Sequence, residues 1–191
     1  MVINYFGGGA YRLQNGDVSL LVDPENNRLK ADVVLRTLAS ATIDPSSAAD
    51  QNEIAFPGEY EAKGVEISGI ELPEESGEKF IKTAYVVTWD DIKLAFLGHL
   101  SKMPSADVIE RLEEPDVLFI PAGGGHFLSP EVAAKLIKQL EPSVVLPTFS
   151  KNAGDLLKAM GQKATPEEKF VFKKKDLVNE KNKVIVLEPK A

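Results

Sequence analysis

The chain of 191 residues has no cysteine and only two histidines, His99 and His126. Thiolates and imidazoles are the side chains that most often bind transition metals in proteins. Disulfide bonds and cysteine-based metal sites are therefore excluded, and at most two imidazoles can take part in any site.

Long apolar runs and basic clusters are also lacking. No run approaches the roughly 20 residues that cross a bilayer, and residues 1–6 resemble a strand rather than a secretory signal. Acidic residues outnumber basic ones by 29 to 22, for a net charge of −7, which argues against binding to a phosphate backbone. We therefore expect a cytoplasmic protein with neither a nucleic-acid nor a membrane partner. Because no linker divides the chain, one domain of residues 1–191 is expected.

Short strands alternate with turns in the first part of the chain. Strands are expected at residues 2–6, 10–13 and 18–22, and Asn15-Gly16 supplies the positive φ angles of a two-residue hairpin. Residues 31–36 (ADVVLR), with three consecutive apolar residues at 33–35, predict a strand covered on both faces.

The same order recurs later, with strands expected at 84–88 and 92–97 around a turn, followed by an acid-led buried strand at 115–120. This repetition indicates two similar β-rich halves packed as sheets with helices outside. Chance similarity of short hairpins is the alternative.

The remaining elements follow from helical spacing and end signals. Helices are expected at 104–112, 129–140 and about 152–160, and strands at 144–146, 169–174 and 184–187. Ser129 is expected to cap its helix, with Pro130 at the first helical position. The acidic residues 71–78 are interpreted as a solvated hairpin loop, and the lysines at 173–175 as a solvated strand end.

Several short segments, in their order along the chain, resemble the metallo-β-lactamase fold superfamily. The resemblance is closest to the branch that contains L-ascorbate-6-phosphate lactonase and small Zn-dependent hydrolases, and it covers nearly the whole chain. The matching segments are 5–10 (YFGGGA), 21–24 (LVDP), 31–35 (ADVVL), 56–61 (FPGEYE), 97–100 (LGHL), 120–125 (IPAGGG) and 144–147 (VVLP). The resemblance implies an α/β (α+β) fold, a four-layer αββα sandwich.

The metal-binding positions of that family are different in this chain. The family's His-x-His-x-Asp-His loop, which holds a zinc pair, is replaced by Leu38, Ser40, Thr42 and Ile43. Leucine and isoleucine have no lone pair to donate, and neutral hydroxyls are poor substitutes for imidazole.

Three further positions differ as well. In the segment His99-Leu100-Ser101-Lys102, an acidic position of the family holds Lys102, whose charge repels a metal ion. The family's last histidine is Phe149, and the histidine often found in its first glycine loop is Gly8. Zinc is expected in the family, but here we expect no metal and no other cofactor.

Two histidines and one lysine are the catalytic candidates that remain. His99 is either a proton carrier or a residue kept only for its hydrogen bonds, and His126 is either a pocket residue or an exposed loop residue. Together with Asp23 or Asp44 they could form a two-histidine, one-carboxylate metal site. Asp23 is read more simply as a turn residue that caps backbone amides.

Serines and glycines give weaker alternatives. Lys102 could activate one of the serines at 40, 101 and 150, as in a Ser-Lys hydrolase. The glycine runs at 7–9 and 123–125 could bind an anion through their amides, but tight turns are the simpler reading.

We therefore expect a non-catalytic pseudoenzyme that binds an unidentified small ligand or protein partner, with an oligomer possible. The alternative is a hydrolase with a rearranged or metal-free active site. The expected pocket residues are Gly8, Asp23, Leu38, Ser40, Asp44, His99 and Phe149.

Overall fold

The computed structural model describes residues 1–26, 28–42, 52–112 and 114–190. The predictions made for Ile43 and Asp44 lie outside the described residues. In chain order the strands are β1 (Val2–Tyr5), β2 (Tyr11–Asn15), β3 (Val18–Val22), β4 (Val33–Leu35), β5 (Leu38–Ser40), β6 (Glu53–Ile54), β7 (Gly58–Ala62), β8 (Val65–Glu71), β9 (Phe80–Trp89), β10 (Ile92–Phe96), β11 (Val117–Pro121), β12 (Val144–Thr148), β13 (Phe170–Val171) and β14 (Lys183–Val184). The helices are α1 (Ala106–Leu112), α2 (Pro130–Leu140), α3 (Gly154–Met160) and α4 (Lys174–Leu177).

These strands form two sheets. The first has the order β13-β1-β2-β3-β4-β6, and the second has the order β14-β12-β11-β10-β9-β8-β7, with β5 paired to β9. Each sheet contains an antiparallel hairpin whose second strand pairs in parallel with the next buried strand, β3 with β4 and β10 with β11. The two similar halves expected from the sequence therefore correspond to the two sheets.

Two apolar cores explain the burial pattern. Side chains from both sheets, including Tyr11, Leu20 and Tyr85, form the core between the sheets. Residues of α1, α2 and α3 pack with the outer face of the second sheet in a separate core. Strand β11 lies between the two cores: Phe119 belongs to the first and Leu118 to the second, which explains its unbroken apolar sequence. The mixed α/β sandwich class is confirmed.

Most of the predicted strands and helices are confirmed, with small shifts at their ends. Ser129 caps α2, since its Oγ accepts a hydrogen bond from the amide of Val132. Within the described part of the chain, no helix has both the length and the apolar character that a membrane crossing requires.

The prediction for the segment from Leu38 onward is wrong in part. It was expected as a loop, but Leu38–Ser40 forms β5 and pairs antiparallel with the first residues of β9. Strand β9 is ten residues long, so it extends beyond its partner β10 and offers β5 a free edge. A strand of three residues is too short for the alternation of apolar and polar side chains to reveal it in the sequence.

Two predictions near the carboxyl end need correction. The strand expected at 169–174 covers only Phe170–Val171, and Lys174 begins α4. The reason is local: the Asp176 carboxylate accepts a hydrogen bond from the Lys173 amide at 2.8 Å and so caps that helix. The strand expected at 184–187 is also shorter, since β14 ends at Val184.

Candidate functional site

Three polar side chains meet at one end of the strands. Asp23 directly follows β3, Thr37 lies between β4 and β5, and His99 follows β10. The Thr37 hydroxyl donates to Asp23 Oδ2 at 2.5 Å and lies 2.8 Å from His99 Nδ1. The Thr37 amide donates to Asp23 Oδ1 at 2.8 Å. Asp23 therefore accepts a hydrogen bond from one backbone amide, that of Thr37, and the same carboxylate also links to His99 through Thr37.

The surroundings shift the pKa values of Asp23 and His99 so that both favour their neutral forms. Burial raises the pKa of Asp23 to about 6, although the hydrogen bonds from Thr37 and the charge of Arg36 oppose this effect. Burial, together with the nearby Lys82 ammonium, lowers the pKa of His99 to about 4. At neutral pH, Asp23 is thus mostly ionised and His99 is neutral.

These protonation states define the hydrogen bonds. The single proton of the Thr37 hydroxyl is donated to the ionised Asp23, so the His99 Nδ1–H donates to Thr37 Oγ1. The other ring nitrogen of His99, Nε2, then carries a lone pair. An imidazole in this state can accept a proton or a hydrogen bond.

Two phenylalanine rings cover His99. The ring centroid of Phe149 lies 4.6 Å from that of His99, and the ring of Phe127 lies 5.9 Å away. The two phenylalanines stack on each other with centroids 4.4 Å apart and planes 10° apart. Phe149 has a positive φ of 50°, and its amide donates to the carbonyl of Gly8 at 2.7 Å.

Glycines provide the space for this arrangement. A Cβ atom on Gly9 would lie 2.2 Å from the Phe149 ring, and one on Gly123 would lie 1.9 Å from the Phe149 carbonyl oxygen. A Cβ atom on Gly98 would lie 2.2 Å from Thr37 Cβ. The glycine runs of the sequence are thus needed, in part, because other backbone and side chains approach them closely.

A small cavity adjoins the carboxylate. It measures about 10 Å³ and is lined by residues that include Asp23, Thr37, Thr148 and Phe149. The buried hydroxyl of Thr148 has no hydrogen-bond partner among the described residues. The cavity has room for about one water molecule, and Phe149 leaves no larger space beside Asp23.

A buried carboxylate that no sequence pattern indicated, that of Glu75, holds the loop after His99. Glu75 accepts hydrogen bonds from the Ser101 amide at 2.8 Å and the Lys102 amide at 3.0 Å, and it pairs with Lys82 at 2.7 Å. Lys82 Nζ also donates to the carbonyl oxygen of His99 at 2.8 Å. The side chain of Glu75 is only 4% exposed, so the interpretation of residues 71–78 as a fully solvated loop is wrong at this residue.

The other predicted site residues lie apart from this cluster. Leu38 and Ser40 pair with β9, and the Ser40 hydroxyl contacts that of Thr42 on the exposed side. His126 is exposed in the loop before α2. Lys102 is 54% exposed and pairs with Glu74.

No serine is arranged as a nucleophile beside Lys102 in the described structure. The Ser101 hydroxyl donates to Glu75 Oε2 at 2.8 Å. A lysine that activates a serine would need to accept a proton from that hydroxyl. The predicted Ser-Lys arrangement is therefore absent among the described residues.

A zinc pair does not fit the donor atoms at this end of the strands. Among the described residues, no group of three or more His, Cys, Asp or Glu side chains lies close enough together to hold a metal ion. Phe149 offers an apolar ring where the resemblance implies an imidazole. Thr37, Phe127, Glu75 and Lys82 were not selected from the sequence. Of these four residues, only Thr37 carried a sequence signal, because it directly follows the strand expected at 31–36.

Comparison with known proteins gives a family match and a related protein. Residues 2–149 match the model of the β-lactamase superfamily domain. A UPF0173 metal-dependent hydrolase from Thermococcus onnurineus is 30% identical over 139 residues, which are 69% of this chain and 56% of that protein. The chain thus spans little more than half the length of this relative.

Solved structures share the fold. A protein of Thermotoga maritima, named as a Zn-dependent hydrolase of the metallo-β-lactamase superfamily, superposes with a TM-score of 0.77 at 22% identity, covering 97% of both chains. Igni18, a metallo hydrolase from Ignicoccus hospitalis, superposes with a TM-score of 0.67 at 18% identity, covering 100% of this chain and 96% of its own. At these identities the likeness shows a common fold alone.

Proposed function

The chain belongs to the metallo-β-lactamase superfamily, and on that premise we propose that it is a member without a metal centre that acts by binding rather than by catalysis. Its partner is a small ligand or a protein. The family assignment gives the fold, and the proposal departs from the hydrolase names of the relatives.

The observation that carries the proposal is the packing of Phe149 on His99. A phenyl ring stands 4.6 Å from the imidazole, and His99 Nδ1 is engaged by Thr37. Phenyl carbon atoms cannot replace a nitrogen ligand. In addition, Ser40 and Lys102, which stand at family metal positions, lie away from this cluster. Together these substitutions favour a pocket that has been refilled with apolar and hydroxyl groups.

The proposal includes a single domain of residues 1–191 in the cytoplasm. The single domain is supported by two strand pairings, β13 with β1 and β14 with β12. Strands that follow the matched residues 2–149 therefore complete both sheets. The cytoplasmic location stays a prediction from the sequence.

The competing proposal is a hydrolase, as the name of the Thermococcus relative suggests. One observation favours it: the hydrogen-bonded chain Asp23–Thr37–His99 leaves Nε2 with a lone pair, and a neutral imidazole with an oriented carboxylate behind it can act as a general base. Against it, Phe149 and Phe127 cover the ring. The competing proposal needs either a rearranged metal site or none.

Metal analysis separates the binding proposal from a hydrolase with a rearranged metal site. The protein is purified from media supplemented with zinc and with manganese, and bound metal is measured by mass spectrometry. We expect far less than one ion per chain. Stoichiometric metal that is lost in a His99→Ala, His126→Ala double variant would overturn the binding proposal, and a circular dichroism spectrum of the variant verifies that it is folded.

A further inference from the structure

A second and larger space adjoins the site. It is a cleft of about 510 Å³, and its lining includes Tyr5, Phe127, Phe149, Ser150 and Lys151. Phe149 also lines the small cavity beside Asp23, so this one residue borders both spaces. Asp23, Thr37 and His99 do not line the cleft. A molecule in the cleft therefore meets Gly8 and Phe149, which stand at family metal positions, but none of the three hydrogen-bonded side chains.

The walls of the cleft are largely aromatic and apolar. Tyr5 stacks on Tyr11 with ring centroids 4.7 Å apart, and Phe127 stacks on Phe149 at 4.4 Å. Both pairs line the cleft. Pre-stacked rings present a rigid surface that loses little conformational entropy on binding. The volume lies within the range of small-molecule sites in proteins.

The charge in the lining of the cleft is positive. In the part of the chain that the structure describes, Lys151 is the single charged residue of the lining and no carboxylate lines it, although the whole chain carries a charge of −7. Among the described residues, Lys151 takes part in no ion pair. The neighbouring Ser150 brings a hydroxyl that can donate a hydrogen bond. An anion is the charge that these two groups complement.

We propose that this aromatic cleft binds a small aromatic carboxylate. The ring of the ligand packs against Phe127 and Phe149, and its carboxylate lies toward Ser150 and Lys151. The inference rests on the proposed binding function and names the chemical class of its ligand. It assigns Phe149 two roles, as the cover of His99 and as a wall of the ligand site.

Indole-3-acetate is a suitable probe, with its neutral amide and the cationic amine tryptamine as analogues. The three share one ring system and differ in charge. Binding is measured by titration of the full chain in two-dimensional NMR, which also reports the residues that respond. We expect shifts centred on Phe127, Phe149 and Lys151, with the acid binding about two- to fivefold more tightly than the amide and the amine most weakly.

Charge variants test the assignment of Lys151. Lys151→Glu should weaken binding of the acid about fivefold or more and leave binding of the amide nearly unchanged. Lys158→Glu is the matched control, because Lys158 is also exposed and lies in α3, seven residues further along the chain, but does not line the cleft. Its affinity for the acid should match that of the unaltered protein.

Two results would overturn the inference. One is the lack of any saturable shift at the cleft with millimolar acid. The other is equal affinity for acid, amide and amine that Lys151→Glu does not change. If the protein holds no metal and the cleft does not respond, the proposed binding function stands and only this ligand class is excluded. If the protein holds stoichiometric metal and the cleft responds, the proposed metal-free function is excluded instead. The two failures are therefore distinguishable.

Discussion

The carboxylate of Asp23 and the imidazole of His99 share one hydroxyl group, that of Thr37. Their pKa shifts are opposite in direction, since Asp23 is raised to about 6 and His99 is lowered to about 4. Both shifts favour the neutral form, because the charged form of each loses its hydration at this buried position. This pair contributes two opposed effects to the dependence of stability on pH.

The summed contribution of the pair to stability should be nearly independent of pH between about 4 and 6. In that window folded Asp23 binds more protons than unfolded Asp23, so its contribution falls as pH rises. Folded His99 binds fewer protons than unfolded His99, so its contribution rises with pH. The change of either pKa corresponds to about 3 kcal/mol at most, with less for His99 because its ring is partly exposed.

Single variants should reveal the two slopes. Asp23→Asn leaves the His99 effect, so relative to the unaltered protein the slope of its free energy of unfolding against pH should become more positive. His99→Gln leaves the Asp23 effect, so the same slope should become more negative. Urea titrations at pH 4.5, 5.5 and 6.5 measure both slopes, with Thr37→Ser as a control that keeps the hydroxyl. Slopes that change in the same direction in the two variants would contradict the opposed shifts.

Gly98 should be much less tolerant of alanine than Gly16. Both have positive φ angles, 54° and 57°, so alanine strains the backbone equally, at about 1 kcal/mol. At Gly98 the new Cβ also meets Thr37 at 2.2 Å, whereas at Gly16 no atom of the described residues lies within 4 Å. We expect Gly98→Ala to lower the free energy of unfolding by about 3 kcal/mol or more and Gly16→Ala by about 1 kcal/mol. Equal losses would show that Thr37 moves aside freely.

Glu75 should matter more to stability than its neighbour Glu74. Burial alone would raise the pKa of Glu75, but hydrogen bonds from Lys82, Ser101 and Lys102 lower it below its ordinary value. Glu75→Gln removes the buried ion pair and should cost about 2 to 3 kcal/mol. Glu74 is 59% exposed, so Glu74→Gln should cost less than about 0.5 kcal/mol.

Amide exchange and pH give independent measures of the Glu75 role. Exchange at the Ser101 and Lys102 amides should speed up in Glu75→Gln but not in Glu74→Gln, because only Glu75 accepts those hydrogen bonds. Since the folded pKa is depressed, the contribution of Glu75 is complete above its unfolded pKa and is lost as pH falls through the folded value. Unchanged exchange in Glu75→Gln would show that other contacts hold the loop.

The sequence predicts the strands of the hairpins and helix α2 because their signals are local. Asn15-Gly16 and the Ser129-Pro130 start act within a few residues. Strand β5 could not be predicted, since its pairing depends on the length of β9, more than 35 positions later. Glu75 could not be recognised either: its acidic neighbours indicate a solvated loop, and only the fold brings Lys82 and the Ser101 amide to it.

The ring of Phe149 should control the pKa of His99. In Phe149→Ala the imidazole regains water on the face that the phenyl ring now covers at 4.6 Å, so its pKa should rise from about 4 toward the ordinary value of about 6.5. Phe127→Ala should raise it less, because that ring is 5.9 Å away. NMR titration of the His99 ring proton measures both shifts. A His99 pKa that stays near 4 in Phe149→Ala would show that Lys82 and the buried surroundings of Thr37 keep the imidazole neutral without the phenyl ring.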